Sequence, residues 1–388
     1  MKRLLFVASL AMLAIGCQKT FVENEVQNSI GFDTEVGKQT RAIVSNNAYL
    51  TDQPFAVYAY GHQLINGVDQ PTGDPIMNNV EIKGTTVDAN TTWKATTGSY
   101  YWPNDPRTSI NFYAYSPAKP TSPATPSATA AHQQLLTGTV NHTEANGFSL
   151  TDYVHSNMYV DFMVGRPVLG ATYSDQDGTN GNAATLTSVP VSFNHQMTQV
   201  VFEVKTSSEY ADIDFTVQSI VLNNIGNKAT YTHATLKSGY TDTDAKFTNG
   251  SWAAPTASGS FTIFPAVVAN GVVAADEAPV VVGNTDAETL KTTPVTMIPQ
   301  TLVASVAADP ENDVDAVNGQ SFTITYTISG TGVATETVEK TLDFKDANVD
   351  WDINKKITYK VSIGLQEITF APTVASWTEG TGEYGITQ

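Results

Sequence analysis

Two residues near the start of the chain offer covalent chemistry by type and position. Cys17 is the only cysteine among 388 residues, and it follows directly on the apolar run at residues 4–15 and Gly16. A single thiol makes no intrachain disulfide and no cysteine-built zinc site. Its place directly behind the apolar core reads as an acylation site, the alternative being a plain signal peptide with an incidental cysteine. Arg41 stands alone between Thr40 and Ala42, ahead of the apolar pair Ile43-Val44. This single basic site behind a detachable strand reads as a protease site, the alternative being an ordinary surface arginine. Elsewhere the chemistry is thinner. His195 lies between Asn194 and Gln196 in an apolar stretch, with no nucleophile or carboxylate pair spaced to work with it, and reads as a structural histidine. The six histidines never fall as HxH or HExxH. A calcium loop counted from Asp175 needs Gly at its sixth position and Glu at its twelfth; Asn180 and Leu186 stand there. That segment and the acidic run Asp309, Glu311, Asp313 and Asp315 read as solvated loops. No catalytic residue, cofactor or metal site is expected.

Residues 1–16 carry Lys2 and Arg3 and then the short apolar core, which is too short to span a bilayer and reads as a secretory signal. Residues 17–41 read as a polar tether ending in a strand. Within it Ile30, Phe32 and Val36 alternate with Gly31, Asp33 and Glu35, the period of a half-buried β-strand. Cleavage at Arg41 would cut this strand from the body. A β-domain that loses one strand exposes an apolar groove and an unpaired backbone edge, which can take a strand from a neighbouring molecule. The far end of the chain offers a matching pattern. Ile368, Phe370 and Val374 alternate, and Tyr384 and Ile386 repeat the spacing in the tail, so this end is the expected donor.

The composition suits an extracellular β-protein: 41% hydrophobic, only 15% charged, rich in Thr, Ser, Asn, Val and Gly. The net charge of -18 repels phosphate backbones and argues against nucleic-acid binding. No segment shows sustained helical periodicity. Short strands recur at residues 55–60, 110–115, 159–164, 191–195, 200–204, 215–222, 261–264, 295–298, 322–328, 356–365 and 368–374. Residues 61–90 read as loop-rich, with turns at Asn66-Gly67 and Thr72-Gly73. The aromatics Trp93, Tyr100, Tyr101, Trp102, Phe112, Tyr113 and Tyr115 read mostly as core rather than as a sugar platform. Residues 171–188 have almost nothing to bury and mark a boundary. The expected architecture is all-β, with two antiparallel sandwiches at residues 42–187 and 188–388.

Several segments resemble the fimbrillins, pilins of the type V pili of anaerobic gut and oral bacteria. They are the lipobox-like Leu13-Ala14-Ile15-Gly16-Cys17, Thr40-Arg41-Ala42 behind a short strand, and Tyr101-Trp102-Pro103 leading to Phe112-Tyr113-Ala114-Tyr115-Ser116-Pro117. Phe193-Asn194-His195-Gln196-Met197, Met297-Ile298-Pro299-Gln300 and the ending from Tyr359 to Trp377 complete the set. The resemblance implies two transthyretin-like β-sandwich domains, palmitate-bearing lipoprotein export and display at the cell outer membrane. It further implies processing by an arginine-specific protease, polymerisation with other fimbrial subunits by donor-strand exchange, and a role in adhesion. The same residues also allow a monomeric surface lipoprotein that binds a glycan or host protein and keeps Cys17.

Overall fold

The computed structural model describes residues 29–36, 54–119, 136–173, 185–233, 250–307 and 317–377, apart from short gaps within them. Cys17, Arg41, Ala42, Tyr384, Ile386 and both acidic loops lie outside the described residues. The described chain is all-β with two short 3-10 turns, and no helix in it is long and apolar enough to cross a membrane.

The first twelve strands are β1 (Phe32–Val36), β2 (Phe55–Ile65), β3 (Val68–Pro71), β4 (Met77–Val87), β5 (Asn90–Ala95) and β6 (Thr108–Ser116), then β7 (Thr139–Thr143), β8 (Gly147–Val154), β9 (Met163–Gly165), β10 (Val168–Tyr173), β11 (Thr185–Leu186) and β12 (Val189–His195). Seven of them close a circuit, each hydrogen-bonded to the next, in the order β1-β12-β9-β6-β2-β4-β5 and back to β1. Inside it lies a core of Phe32, Phe55, Trp93, Phe112 and Phe193 among smaller aliphatics. β2 runs between β4 and β6 with its first five residues buried on both faces, as its unbroken apolar run predicts.

The remaining strands are β13 (Thr198–Thr206), β14 (Ile213–His233), β15 (Ser251–Trp252), β16 (Ala257–Phe264), β17 (Val267–Val268), β18 (Val272–Val273), β19 (Val280–Val282), β20 (Leu290–Lys291), β21 (Val295–Met297), β22 (Ser321–Gly330), β23 (Val333–Asp343), β24 (Lys355–Ile363) and β25 (Ile368–Ser376). One sheet runs β20-β13-β24-β25, with β21 also on β13. It packs over a second sheet, β23-β22-β14-β8-β7, and Phe202, Phe215, Phe322 and Tyr359 fill the space between them. A third core joins the two halves. Tyr58 and Tyr115 enter it from the closed circuit, Leu150 and Tyr153 from β8, Tyr231 from β14, and Met197, Ile298 and Trp377 from the second half.

Four differences from the sequence expectation have local causes. Residues 61–90 are not mainly loop: Asn66 and Gly67, both at positive φ, make the tight turn of the hairpin between β2 and β3, and β4 follows. Of residues 159–164 only Met163 and Val164 are strand, because Asn157 caps a turn through Tyr159 and Val160. Strand pairing does not respect a line at 187/188. β12 completes the first circuit through β1 and β9, while β7 and β8, from the N-terminal side, extend the sheet built on β14. Three ladders are parallel rather than antiparallel: β1 with β12, β10 with β11 and β13 with β24.

Candidate functional site

β1 sits between two strands, β12 and β5, that do not pair with each other among the described residues. Its five residues pair in parallel with residues 189–193 of β12, and on the other side Phe32 pairs antiparallel with Trp93 of β5. Just before it, the Ile30 N–H donates to the Tyr100 carbonyl at 2.9 Å, and the Val189 N–H donates to the Gly31 carbonyl at 2.9 Å. The alternation read from sequence is realised. Ile30 and Phe32 are 4% and 2% exposed, while Asp33 is turned out to a hydrogen bond from Ser188. The Phe32 ring meets Phe55 and Phe112 edge-on, each at 5.9 Å between centroids. Phe55 in turn contacts Phe193 at 5.4 Å and Trp93 at 5.5 Å. Sequence reasoning placed Phe32 on the inner face but did not find this aromatic floor, whose members come from four separate strands. Val36 pairs with Phe193 through its backbone.

Burial of two side chains of this size stabilises the fold by about 3–6 kcal/mol, before any ladder hydrogen bonds. Removing β1 would leave one edge of β12 and one edge of β5 unpaired over an apolar trench. What the arrangement does is hold an extended strand, β1, between β12 and β5.

The C-terminal strand is placed differently. Among the described strands β25 pairs only with β24, over nine residues, and forms the edge of its sheet. Ile368 and Phe370 are half-buried against the second core, with Phe370 edge-on to Phe322 at 5.2 Å; Val374 is 50% exposed. Pro372, which has no N–H to donate, lies opposite Tyr359 on this edge. Two of the expected donor residues therefore serve the chain's own core in this structure.

His195 is a structural histidine here. Its Nδ1 lies 2.7 Å from Asp161 Oδ2, and its ring stacks on Trp377 at 3.8 Å with the planes 5° apart. Gln196, fully buried, is the hub beside it: its side-chain oxygen accepts from the Tyr231 hydroxyl and its backbone carbonyl from the Trp252 indole N–H. Gln300 accepts from the Gly226 N–H in the same manner. Of the aromatic group, Trp93, Trp102, Phe112 and Tyr115 are core, and Tyr101 alone is largely exposed. Among the described residues no cluster of three or more His, Cys, Asp or Glu side chains could hold a metal ion.

A profile described as fimbrillin-like matches residues 40–377. The chain belongs to the fimbrillin-like family. The fimbrillin-like match begins beside Arg41 and ends at Trp377, so β1 lies outside it. Among solved structures, the chain is similar to a fimbrial protein from Bacteroides vulgatus, with 19% identity, 90% of this chain and 99% of that one covered, and a TM-score of 0.46. It is also similar to the tip fimbrial protein Mfa3 from Porphyromonas gingivalis, with 11% identity, 84% and 95% covered, and a TM-score of 0.30. No curated protein matches in sequence.

Proposed function

We propose that this fimbrillin-like chain is a fimbrial subunit that acts in adhesion at the cell surface and polymerises by donor-strand exchange. Family membership supports the subunit role. The single observation that carries the exchange step is the placement of β1: it closes a circuit of strands, buries Ile30 and Phe32 on an aromatic floor, and precedes the only arginine between it and the body. On this reading Cys17 is acylated for export to the outer membrane, and an arginine-specific protease cuts between Arg41 and Ala42. β1 then leaves, and a strand from another subunit fills the trench. Ile368, Phe370, Val374, Tyr384 and Ile386 are the proposed donor residues.

The test is Arg41→Ala in the exporting cell. The variant is expected to fold, reach the surface and remain monomeric, while the parent chain sheds filaments visible by electron microscopy. Filaments from Arg41→Ala would defeat strand release as the trigger. Cys17→Ala is expected to abolish palmitate labelling, since no other thiol exists.

One observation favours a second reading, a monomeric surface lipoprotein that binds a glycan or host protein: β25 is docked on its own sheet, with Ile368 and Phe370 in use there. The N-terminus of the surface protein separates the two. It starts at Ala42 in a processed subunit and at Cys17 in a monomeric binder.

A further inference from the structure

β12 serves two clients. On one edge β1 covers residues 189–193; on the other β9 covers only residues 193–195, with one more bond from the Arg166 N–H to the Ser192 carbonyl at 2.7 Å. Residues 189–191 have β1 as their only ladder partner among the described strands. The buried face of β12 alternates as Val189, Val191, Phe193 and His195. The first three belong to the core under β1, and the fourth is the seat of Trp377.

Trp377 follows β25 directly. From Glu367 to Trp377 it is the only buried side chain among the described residues, at 5% exposure, and the Trp377 backbone N–H donates to the Asn354 carbonyl at 2.9 Å. The rest of the segment is an edge strand with one ladder among the described strands and three half-buried side chains, one of them a proline. Such a strand opens easily unless its end is fixed. The Trp377 indole is that fixing point, and it rests on an imidazole aligned by Asp161 and carried by the strand that β1 completes. The His195 Nε2 atom is buried without a hydrogen-bond partner among the described residues, and the ring is held by Asp161 and by the stack.

We infer that His195 and Trp377 are positioning residues that couple the two ends of the chain. With β1 in place, β12 is paired along its length and holds the seat on which Trp377 is stacked. When β1 leaves, β12 keeps only its short β9 ladder, the seat loosens, and β25 is released from its sheet. This rests on β1 being the strand that leaves. It adds that the C-terminal strand of a subunit stays docked until its own N-terminal strand has gone.

The test is hydrogen exchange by mass spectrometry on the peptide spanning β25, in the full chain and in a chain lacking residues 29–36. In the full chain this peptide is expected to exchange slowly. Deleting residues 29–36, or Trp377→Ala in the full chain, is expected to speed it at least tenfold; the two together are expected to add nothing further. Trp377→Phe, which keeps a flat ring on His195, is expected to stay near the parent. A synthetic peptide of residues 29–36 added to the deleted chain is expected to restore protection. Should the deleted chain not fold, Phe32→Ala in the full chain serves instead, with a smaller increase in the same direction. Exchange of β25 that stays within twofold when β1 is deleted or weakened overturns the coupling, whatever Trp377→Ala does. Electron microscopy of the same samples reads polymerisation separately. Filaments without coupled exchange refute this inference alone, and coupled exchange without filaments refutes only the donor-strand reading.

Discussion

β1 and β25 have the same sequence pattern and opposite situations. Each alternates bulky apolar residues with polar or small ones. Yet Phe32 is enclosed by rings from several strands, while Val374, at the equivalent phase of its strand, is half exposed. The difference lies in the neighbours. β1 has a strand on each side and a closed core below, whereas among the described strands β25 pairs with β24 alone. Alternation fixes which face a strand turns inward; position in the sheet fixes how much that face is worth.

The sharpest way to break this contrast is truncation at matched positions. Phe32→Ala in the full chain is expected to cost about 3–5 kcal/mol, the range for emptying a fully buried ring site, measured by urea unfolding. Equal losses from Phe32→Ala and Val374→Ala would mean that β1 is no better held than the edge.

Acid probes two buried imidazoles beside the third core, His142 against Tyr58 and Phe148 and His155 against Tyr153. Burial, with a smaller contribution from His233, pushes the His142 imidazole down to about 3. Burial pushes His155 down to about 4, against a hydrogen bond to the Thr296 carbonyl that opposes the shift. Both are neutral in the folded protein, so the unfolded chain, with ordinary values near 6.5, takes up protons first. Stability is therefore full above about pH 6.5 and is lost progressively as the pH falls towards the folded values. At pH 5 the loss is on the order of 2 kcal/mol for each imidazole. Thermal melts from pH 7 to pH 4 should show it, and His142→Phe should flatten the slope. An unchanged slope would remove His142 from the account.

Smaller effects come from β25 itself. Phe370→Ala is expected to cost about 1–2 kcal/mol, because the ring is only half-buried. Val374→Ala is expected to stay within about 0.5 kcal/mol, as for most exposed sites. A loss at Val374 comparable to that at Phe370 would show that this end of β25 is covered in solution.

The parts legible in the sequence were those with a local signal. The inward face of β1 followed from Ile30 and Phe32 alone, the turn at Asn66-Gly67 from its two residues, and the burial of β2 from six apolar residues in a row. The parts missed lacked one. β23 is a long strand of Thr, Glu and Lys exposed on nearly every residue, so it has no apolar period to read. β7, with Thr, Val, Asn and His, gains its meaning only where His142 meets Tyr58, Tyr60 and Tyr113. The passage of β12 into the first circuit depends on pairing with β1, more than 150 residues earlier, and no local pattern encodes a partner at that distance. The seat that His195 gives Trp377 joins residues far apart in the chain, and neither has a local signal for the other.

The two neighbours of β1 run in opposite directions, one parallel and one antiparallel to it. A strand laid into that trench the other way round would still find one neighbour of each kind. Main-chain pairing by itself is therefore nearly indifferent to which way an occupant points. Direction has to be written in side chains: a medium aliphatic where Ile30 sits, a ring over Phe55 and Phe112 two residues later, and small or polar residues between. Any polymer jointed at this trench would take its polarity, and hence which end grows, from the spelling of a few residues rather than from the backbone.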